Sequence, residues 1–188
     1  MAKLILFMHS SLDGFCAGPN GEMDWIRVDQ EIFAYGHQRI GETDTALYGR
    51  VTFGMMEGYW PTAADQPNAT QHDIEHADWY KRAHKIVLSR TMSPGQRADV
   101  DVIAGDLAAR IQKIKKDNER DILVFGSPGA THSLLEQNLI DAYWLYQNPI
   151  LLGEGIPVFR DIRHKQQLRL VSSHVFSSGV NALHYENK

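Results

Sequence analysis

The sequence contains one cysteine, Cys16, in 188 residues. A lone cysteine can neither close an intramolecular disulfide nor build a cysteine-based zinc signature, so a disulfide-stapled secreted fold is not expected. A reducing cytoplasm is the expected compartment. Long apolar runs are also missing. The opening run, Leu4 to Met8, is far shorter than a signal-peptide core with its flanks or a membrane span of about 20 residues. Charge of one sign is scarce, because 19 Lys and Arg against 23 Asp and Glu leave a net charge of -4, and no basic face advertises nucleic acid. There is no internal repeat and no low-complexity tract. The most linker-like stretch, Pro61 to Thr70, is too short to separate domains, so residues 1–188 read as one domain with a mobile surface loop there.

Apolar runs recur at Leu4–Met8, Thr45–Tyr48, Lys85–Leu88, Val100–Ile103 and Ile122–Phe125, most of them followed by turn residues and a helical pattern. The alternation predicts an α/β fold with a largely parallel sheet. Helices are expected to start near Val28, Val51, His72, Asp106 and Pro128. In the fourth, Leu107, Ile111 and Ile114 form one apolar stripe, and Lys113, Lys115 and Lys116 read as a solvated face. After Ile140 the pattern changes. Ala142–Gln147, Leu168–Phe176 and Val180–Glu186 read as strands, with Ser177-Ser178-Gly179 as a hairpin turn and an antiparallel edge to the sheet. Tyr143, Trp144 and Tyr146 alternate with strand period, which puts one side in the core and offers the other to a subunit interface.

Three junctions have the chemistry of an anion site. In Ala46-Leu47-Tyr48-Gly49-Arg50-Val51-Thr52 a strand enters a helix through glycine, so free N–H groups, the Arg50 guanidinium and the Thr52 hydroxyl are available to a phosphate. The run Ile122-Leu123-Val124-Phe125-Gly126-Ser127-Pro128-Gly129-Ala130-Thr131 is a second such entry, with Pro128 tolerated at the first helical position. It does not match G-x-G-x-x-G, which disfavours an ordinary Rossmann site. Between them, Leu88-Ser89-Arg90 ends a buried strand in a hydroxyl and a cation. Two arginines, and no acidic residue directly after this strand, suit a ribose 2′-phosphate and favour NADP over NAD. The loop from His9 to Trp25 is glycine-rich and long enough to be a lid. His72 and His76 stand four apart, but Asp-Ile-Glu between them is not the H-E-x-x-H arrangement, and an exposed polar helix face is the reading preferred to a metal site. Trp79 and Tyr80 are expected to pack or to close a lid, and Cys16 to be buried or to touch a cofactor.

Taken in order, Ser11-Leu12-Asp13-Gly14, Gly49-Arg50-Val51-Thr52, Leu88-Ser89-Arg90, Gly126 with its helix, and Asp141 followed by Pro149-Ile150-Leu151-Leu152-Gly153-Glu154-Gly155 resemble the dihydrofolate reductase superfamily. The chain is more closely similar to stand-alone relatives of the riboflavin-biosynthesis reductase domain, the RibD C-terminal domain. The resemblance implies a three-layer α/β/α fold with a mostly parallel sheet and an antiparallel C-terminal edge. It implies NADPH, held by Gly49, Arg50 and Thr52, by Leu88, Ser89 and Arg90 at the adenosine end, by Gly126, Ser127, Gly129, Ala130 and Thr131 at the pyrophosphate, and by Ala17 beside the nicotinamide ribose. Asp29 is implied as the proton donor, with Glu31 or an ordered water as alternatives, and Asp13, Trp25 and Phe33 as substrate-binding residues. Phe15 stands where riboflavin reductase domains commonly carry a basic residue. The implied activity is hydride transfer from NADPH to a small heterocycle of pteridine or aminopyrimidine type, by an enzyme like dihydrofolate reductase or 5-amino-6-(5-phosphoribosylamino)uracil reductase. A nucleotide-binding sensor or assembly module without turnover, and a purely structural domain, are the rival readings. A homodimer through the strands near Ala142–Gln147 and Leu168–Phe176 is implied as well.

Overall fold

A computed structural model of the chain describes residues 1–93, 95, 97–162 and 165–188. Its centre is an eight-stranded sheet of β1 (Leu4–Ser10), β3 (Thr45–Gly49), β4 (His84–Leu88), β5 (Val100–Ile103), β6 (Ile122–Phe125), β7 (Ala142–Gln147), β9 (Leu168–Val175) and β10 (Asn181–Asn187). The spatial order is β5-β4-β3-β6-β1-β7-β10-β9. Every pair from β5 to β7 is parallel, and the two pairs made by β10 are antiparallel. The apolar runs form the central strands because a parallel sheet covered on both faces has no polar side. Ile122 to Phe125 are all buried.

Helices α1 (Gln30–Gly41), α2 (Arg50–Ala63) and α3 (Gln71–Arg82) place Ile32, Phe53 and Trp79 in one core, while α4 (Leu107–Asp117) and α5 (Pro128–Glu136) place Ile111 and Leu134 in the other. The architecture is therefore the expected three-layer α/β/α. A two-stranded ribbon of β2 (Phe15–Ala17) and β8 (Ile156–Pro157) ties the loop after β1 to the segment after β7. Gly155 is needed there, since a Cβ would collide with the Ala17 carbonyl oxygen.

Four expectations are corrected. The Pro61–Thr70 stretch is not all loop, because α2 continues to Ala63 with Pro61 in its last turn, and Thr70 caps α3 through a reciprocal box with Asp73. Strand Ala142–Gln147 is internal, flanked by β1 and β10. Accordingly neither side of Tyr143, Trp144 and Tyr146 is a free surface. Tyr143 packs in the α4–α5 core and the other two in the α1–α3 core. On the antiparallel side the edge of the sheet is β9, with Leu168, Leu170, Val171 and Val175 exposed.

The fourth correction is Lys115, which is not solvated. It lies one turn after the buried Ile111 on the inward stripe and is 2% exposed. Its Nζ donates to Leu139 O at 2.6 Å and meets Asp141 Oδ2 at 2.6 Å. The same carboxylate oxygen accepts from Leu4 N at 2.7 Å, so one ion pair joins α4, the start of β1 and the start of β7. Removing one partner of a buried pair strands the other. We expect Lys115→Ala to cost about 2–4 kcal/mol in urea unfolding, against under about 0.5 kcal/mol for Lys113→Ala on the exposed face.

Candidate functional site

The carboxyl ends of β3 and β6 are neighbours, yet the helices that follow them leave to opposite faces of the sheet, α2 toward one core and α5 toward the other. That divergence opens a crevice of the kind in which ligands of open α/β sheets bind. The two turns meet across it. Gly49 N donates to Ser127 Oγ at 2.7 Å. A Cβ on Gly49 would come within 3.3 Å of that oxygen and 3.6 Å of Ala130 Cβ, which is why glycine suits the position.

Both helix starts lack a side-chain cap. At α2 the N-cap is Gly49, which has no side chain to offer. At α5 the N-cap is Ser127, held at φ 55° and ψ 72°, with its hydroxyl turned to Gly49 instead of its own helix. Pro128 contributes no N–H, so Gly129 and Ala130 supply the free donors there. Gly126, at φ 51°, occupies the left-handed region without steric cost. Two uncapped N-termini side by side form a positive cradle of the kind that favours an anion.

Strand register carries the cradle outward. Gly49 pairs with Leu88 and Leu88 with Ile103, so Arg50 and Ser89-Arg90 leave the sheet at one level. Ser89 Oγ accepts from Thr91 N at 3.2 Å and Met92 N at 2.9 Å, which fixes the turn that displays Arg90. Arg50 and Arg90 are exposed and form no ion pair among the described residues. Thr131 differs from its expected neighbours. It is fully buried and its hydroxyl donates to Gly126 O at 3.1 Å, so it shapes the turn from behind.

The loop after β1 is held by Asp13. Its carboxylate accepts from Ser11 Oγ at 2.6 Å, Leu152 N at 3.1 Å and Gly153 N at 2.8 Å. The Ser11 hydroxyl, and then the Gly153 amide, hold this carboxyl below the usual range. Ala17 is buried beside Gly155 in the same ribbon. Trp25 Nε1 donates to Glu22 O at 3.1 Å, within the loop.

Beside the crevice lies a chamber of about 160 Å³, walled by α1, α2, α3 and the ends of β1, β6 and β7. Of the residues expected to meet substrate, Phe33 lines it, and Asp13 and Trp25 do not. Asp29 is next to the lining residue Val28 and caps α1, with Oδ1 accepting from Ile32 N at 2.9 Å. Glu31 is turned away to Ser177, whose N and Oγ donate to it at 3.2 and 2.9 Å.

His9, His37, His72 and His76 also line the chamber, and of these the sequence reading had placed His72 and His76 on an exposed face. His76 is buried against Trp60 at 3.9 Å between ring centroids, and His72 stacks on Phe33 at 3.8 Å. A signal was available in the spacing 72, 76, 79, 80, which puts both imidazoles on the helix stripe of the buried Trp79 and Tyr80. Burial lowers the His9 pKa to about 4 and the His76 pKa to about 3.

The fold is that of dihydrofolate reductase: the enzyme from Enterococcus faecalis, solved with NADP(H), superposes with a TM-score of 0.64 at 16% identity, over 99% of this chain and 96% of that one. The chain itself belongs to the family described as the RibD C-terminal domain, matched over residues 2–182. The protein YyaP of Bacillus subtilis is 32% identical over 186 residues, covering 97% of this chain and 94% of its own. The deaminase/5-amino-6-(5-phosphoribosylamino)uracil reductase of Thermotoga maritima superposes with a TM-score of 0.67 at 15% identity, over 100% of this chain and 57% of that one.

The buried imidazoles have a measurable consequence. An unfolded histidine takes its proton near pH 6.5, whereas folded His9 and His76 resist protonation until well below that. Their contribution to stability is thus complete above pH 6.5 and is lost as the pH falls from there toward 4. Urea unfolding at pH 7 and pH 5 should differ by about 2 kcal/mol for each imidazole. His76→Gln should remove about half of that difference.

Proposed function

We propose that this protein is an NADPH-dependent reductase of small heterocycles, as the uncapped α2 and α5 starts joined by the Gly49–Ser127 hydrogen bond support most directly. Arg50 and Arg90 add two cations beside the strand ends, and no carboxylate follows β4 to compete for a ribose hydroxyl, which favours the 2′-phosphate form. Gly49, Thr52, Gly126, Ser127, Gly129 and Ala130 take the phosphates, Leu88, Ser89 and Arg90 the adenosine end, and Ala17 borders the nicotinamide ribose. Thr131 shapes that turn.

When bound, the nicotinamide would supply a hydride, that is, two electrons and one proton, to the carbon of a C=N or C=O bond. The chain's work is to orient the ring acceptor against it and to exclude water, through the ribbon of β2 and β8 that Asp13 fastens. The heteroatom must gain one proton. Asp29 Oδ2 accepts no hydrogen bond among the described residues and stands one residue from the chamber wall, so it can pass that proton through a water. The pteridine and aminopyrimidine classes both fit this scheme, and the family membership and the reductase activity of the Thermotoga maritima neighbour support it.

Titration with NADPH and NADH, read by tryptophan fluorescence, tests the reading. Tighter binding of NADPH, and a loss of at least about tenfold in Arg50→Ala, are expected. Asp29→Asn keeps the helix cap. It should bind NADPH unchanged while turnover falls by about 100-fold. Binding without turnover of any substrate would leave a nucleotide-binding module, and failure to bind either dinucleotide a purely structural domain.

A second copy of the chain is proposed as partner, through the open edge of β9 and its exposed Leu168, Leu170, Val171 and Val175. Light scattering should give twice the 21.3 kDa chain mass, and Val171→Lys should return a monomer. As to location, no helix among the described residues is long and apolar enough to cross a membrane. The cytoplasm remains the compartment proposed.

A further inference from the structure

The chamber and the crevice differ sharply in charge. The crevice carries Arg50, Arg90 and two uncapped helix starts, whereas no Lys, Arg, Asp or Glu side chain lines the chamber. Its walls are ring faces, among them Phe33, Trp60, Phe125 and Tyr146. The side-chain N and O atoms of its lining residues are imidazole nitrogens, a phenol and the Trp60 indole N–H, which donates to Met56 Sδ. Of these, His37 Nδ1, His72 Nδ1, His76 Nδ1 and Tyr146 Oη are buried and hydrogen-bond to no protein atom.

Such atoms are costly. Each buried polar atom left without a partner costs about 1–3 kcal/mol, and four among the residues of one chamber, from α1, α3 and β7, call for an explanation. His76 is 5% exposed and held neutral by burial, so at neutral pH its ring carries one N–H and one lone pair beside the chamber it lines. A neutral donor–acceptor set between aromatic faces matches the edge of a flat heterocycle carrying amide or ring-nitrogen groups.

Size and surroundings restrict the ligand further. A cavity of about 150 Å³ holds a benzene-sized ring, so this one, at about 160 Å³, encloses one ring of the ligand and leaves the rest to the groove that adjoins it. The wider groove that shares Phe33 and His72 with it is lined by Gln30, Ala34, Thr70, Gln71 and Glu75, so its only charge is negative. An anionic tail emerging there would meet a carboxylate and no cation.

We infer that the substrate of this site is an uncharged planar heterocycle without phosphate or carboxylate, gripped at its edge by His72, His76 and Tyr146 and on its faces by Phe33 and Trp60. The inference rests on the reductase reading only for the identity of the chamber as the substrate site. It assigns the two arginines to the dinucleotide alone. A phosphoribosylated pyrimidine is thereby excluded as the preferred ligand.

Calorimetric titration of the full chain saturated with NADP⁺ tests it, with 5-aminouracil and lumazine as uncharged rings, uridine 5′-monophosphate as a phosphorylated one, and dihydrofolate as a carboxylated one. At least one uncharged ring should bind at least about tenfold more tightly than either anion, a difference of about 1.4 kcal/mol. His76→Leu should weaken that ring by about tenfold without changing NADP⁺ binding. Gly36→Ala gives a second route, because its new methyl enters 3.2 Å from Tyr146 Oη and fills the chamber from a helix position that favours alanine. It should abolish ring binding and leave the dinucleotide bound.

Preference for the monophosphate or dihydrofolate, absence of binding by both uncharged rings at millimolar concentration, or an unchanged ring affinity in both variants would overturn the inference. Loss of NADP⁺ binding with ring binding intact would instead refute the reductase reading and leave the ligand class standing.

Discussion

The hydrogen bond from Gly49 N to Ser127 Oγ joins the turns after β3 and β6 where their chain directions diverge over one crevice. Its geometry requires glycine on one side and a left-handed serine on the other. By diverting the serine hydroxyl from its own helix, it leaves the first turn of α5 uncapped, and the neighbouring start of α2 is uncapped because its N-cap residue is glycine. The electrostatic character of the crevice thus follows from packing. Without this contact the two positive helix ends would be separate features, and the cradle would lose its spacing.

Charge is partitioned accordingly. Cations and free amides collect on the crevice, while the adjoining chamber keeps to ring faces and imidazoles made neutral by burial. That division suits a reaction whose charged component is the dinucleotide and whose acceptor is a small neutral ring. The Asp13 clip closes the arrangement from the solvent side, and the Lys115–Asp141 pair holds the amino end of β1 on which the chamber's floor depends.

Much of the fold was legible in the sequence because buried parallel strands are continuous apolar runs, and the glycine junctions that follow them are local. The runs ending at Tyr48, Leu88 and Phe125 and the hairpin at Ser177-Ser178-Gly179 all lie where pattern puts them. Tertiary facts were harder to read. Lys115 is charged yet inward, because its partner Asp141 lies 26 positions away in sequence. Ala142–Gln147 looked like an edge because nothing local announces that β10 folds back beside it. The anion cradle was visible as glycine, arginine and serine at helix starts, but the chamber was not, since His9, His37, His72 and His76 come from three separate elements. A histidine's character is set by what buries it, and single-residue chemistry does not reveal that.

The most direct measurement is a crystal structure of the protein soaked with NADP⁺. The pyrophosphate is expected over the starts of α2 and α5, the 2′-phosphate between Arg50 and Arg90, and the nicotinamide at the mouth of the histidine-lined chamber. A dinucleotide bound elsewhere, or one whose pyrophosphate avoids the Gly49–Ser127 junction, would contradict that placement.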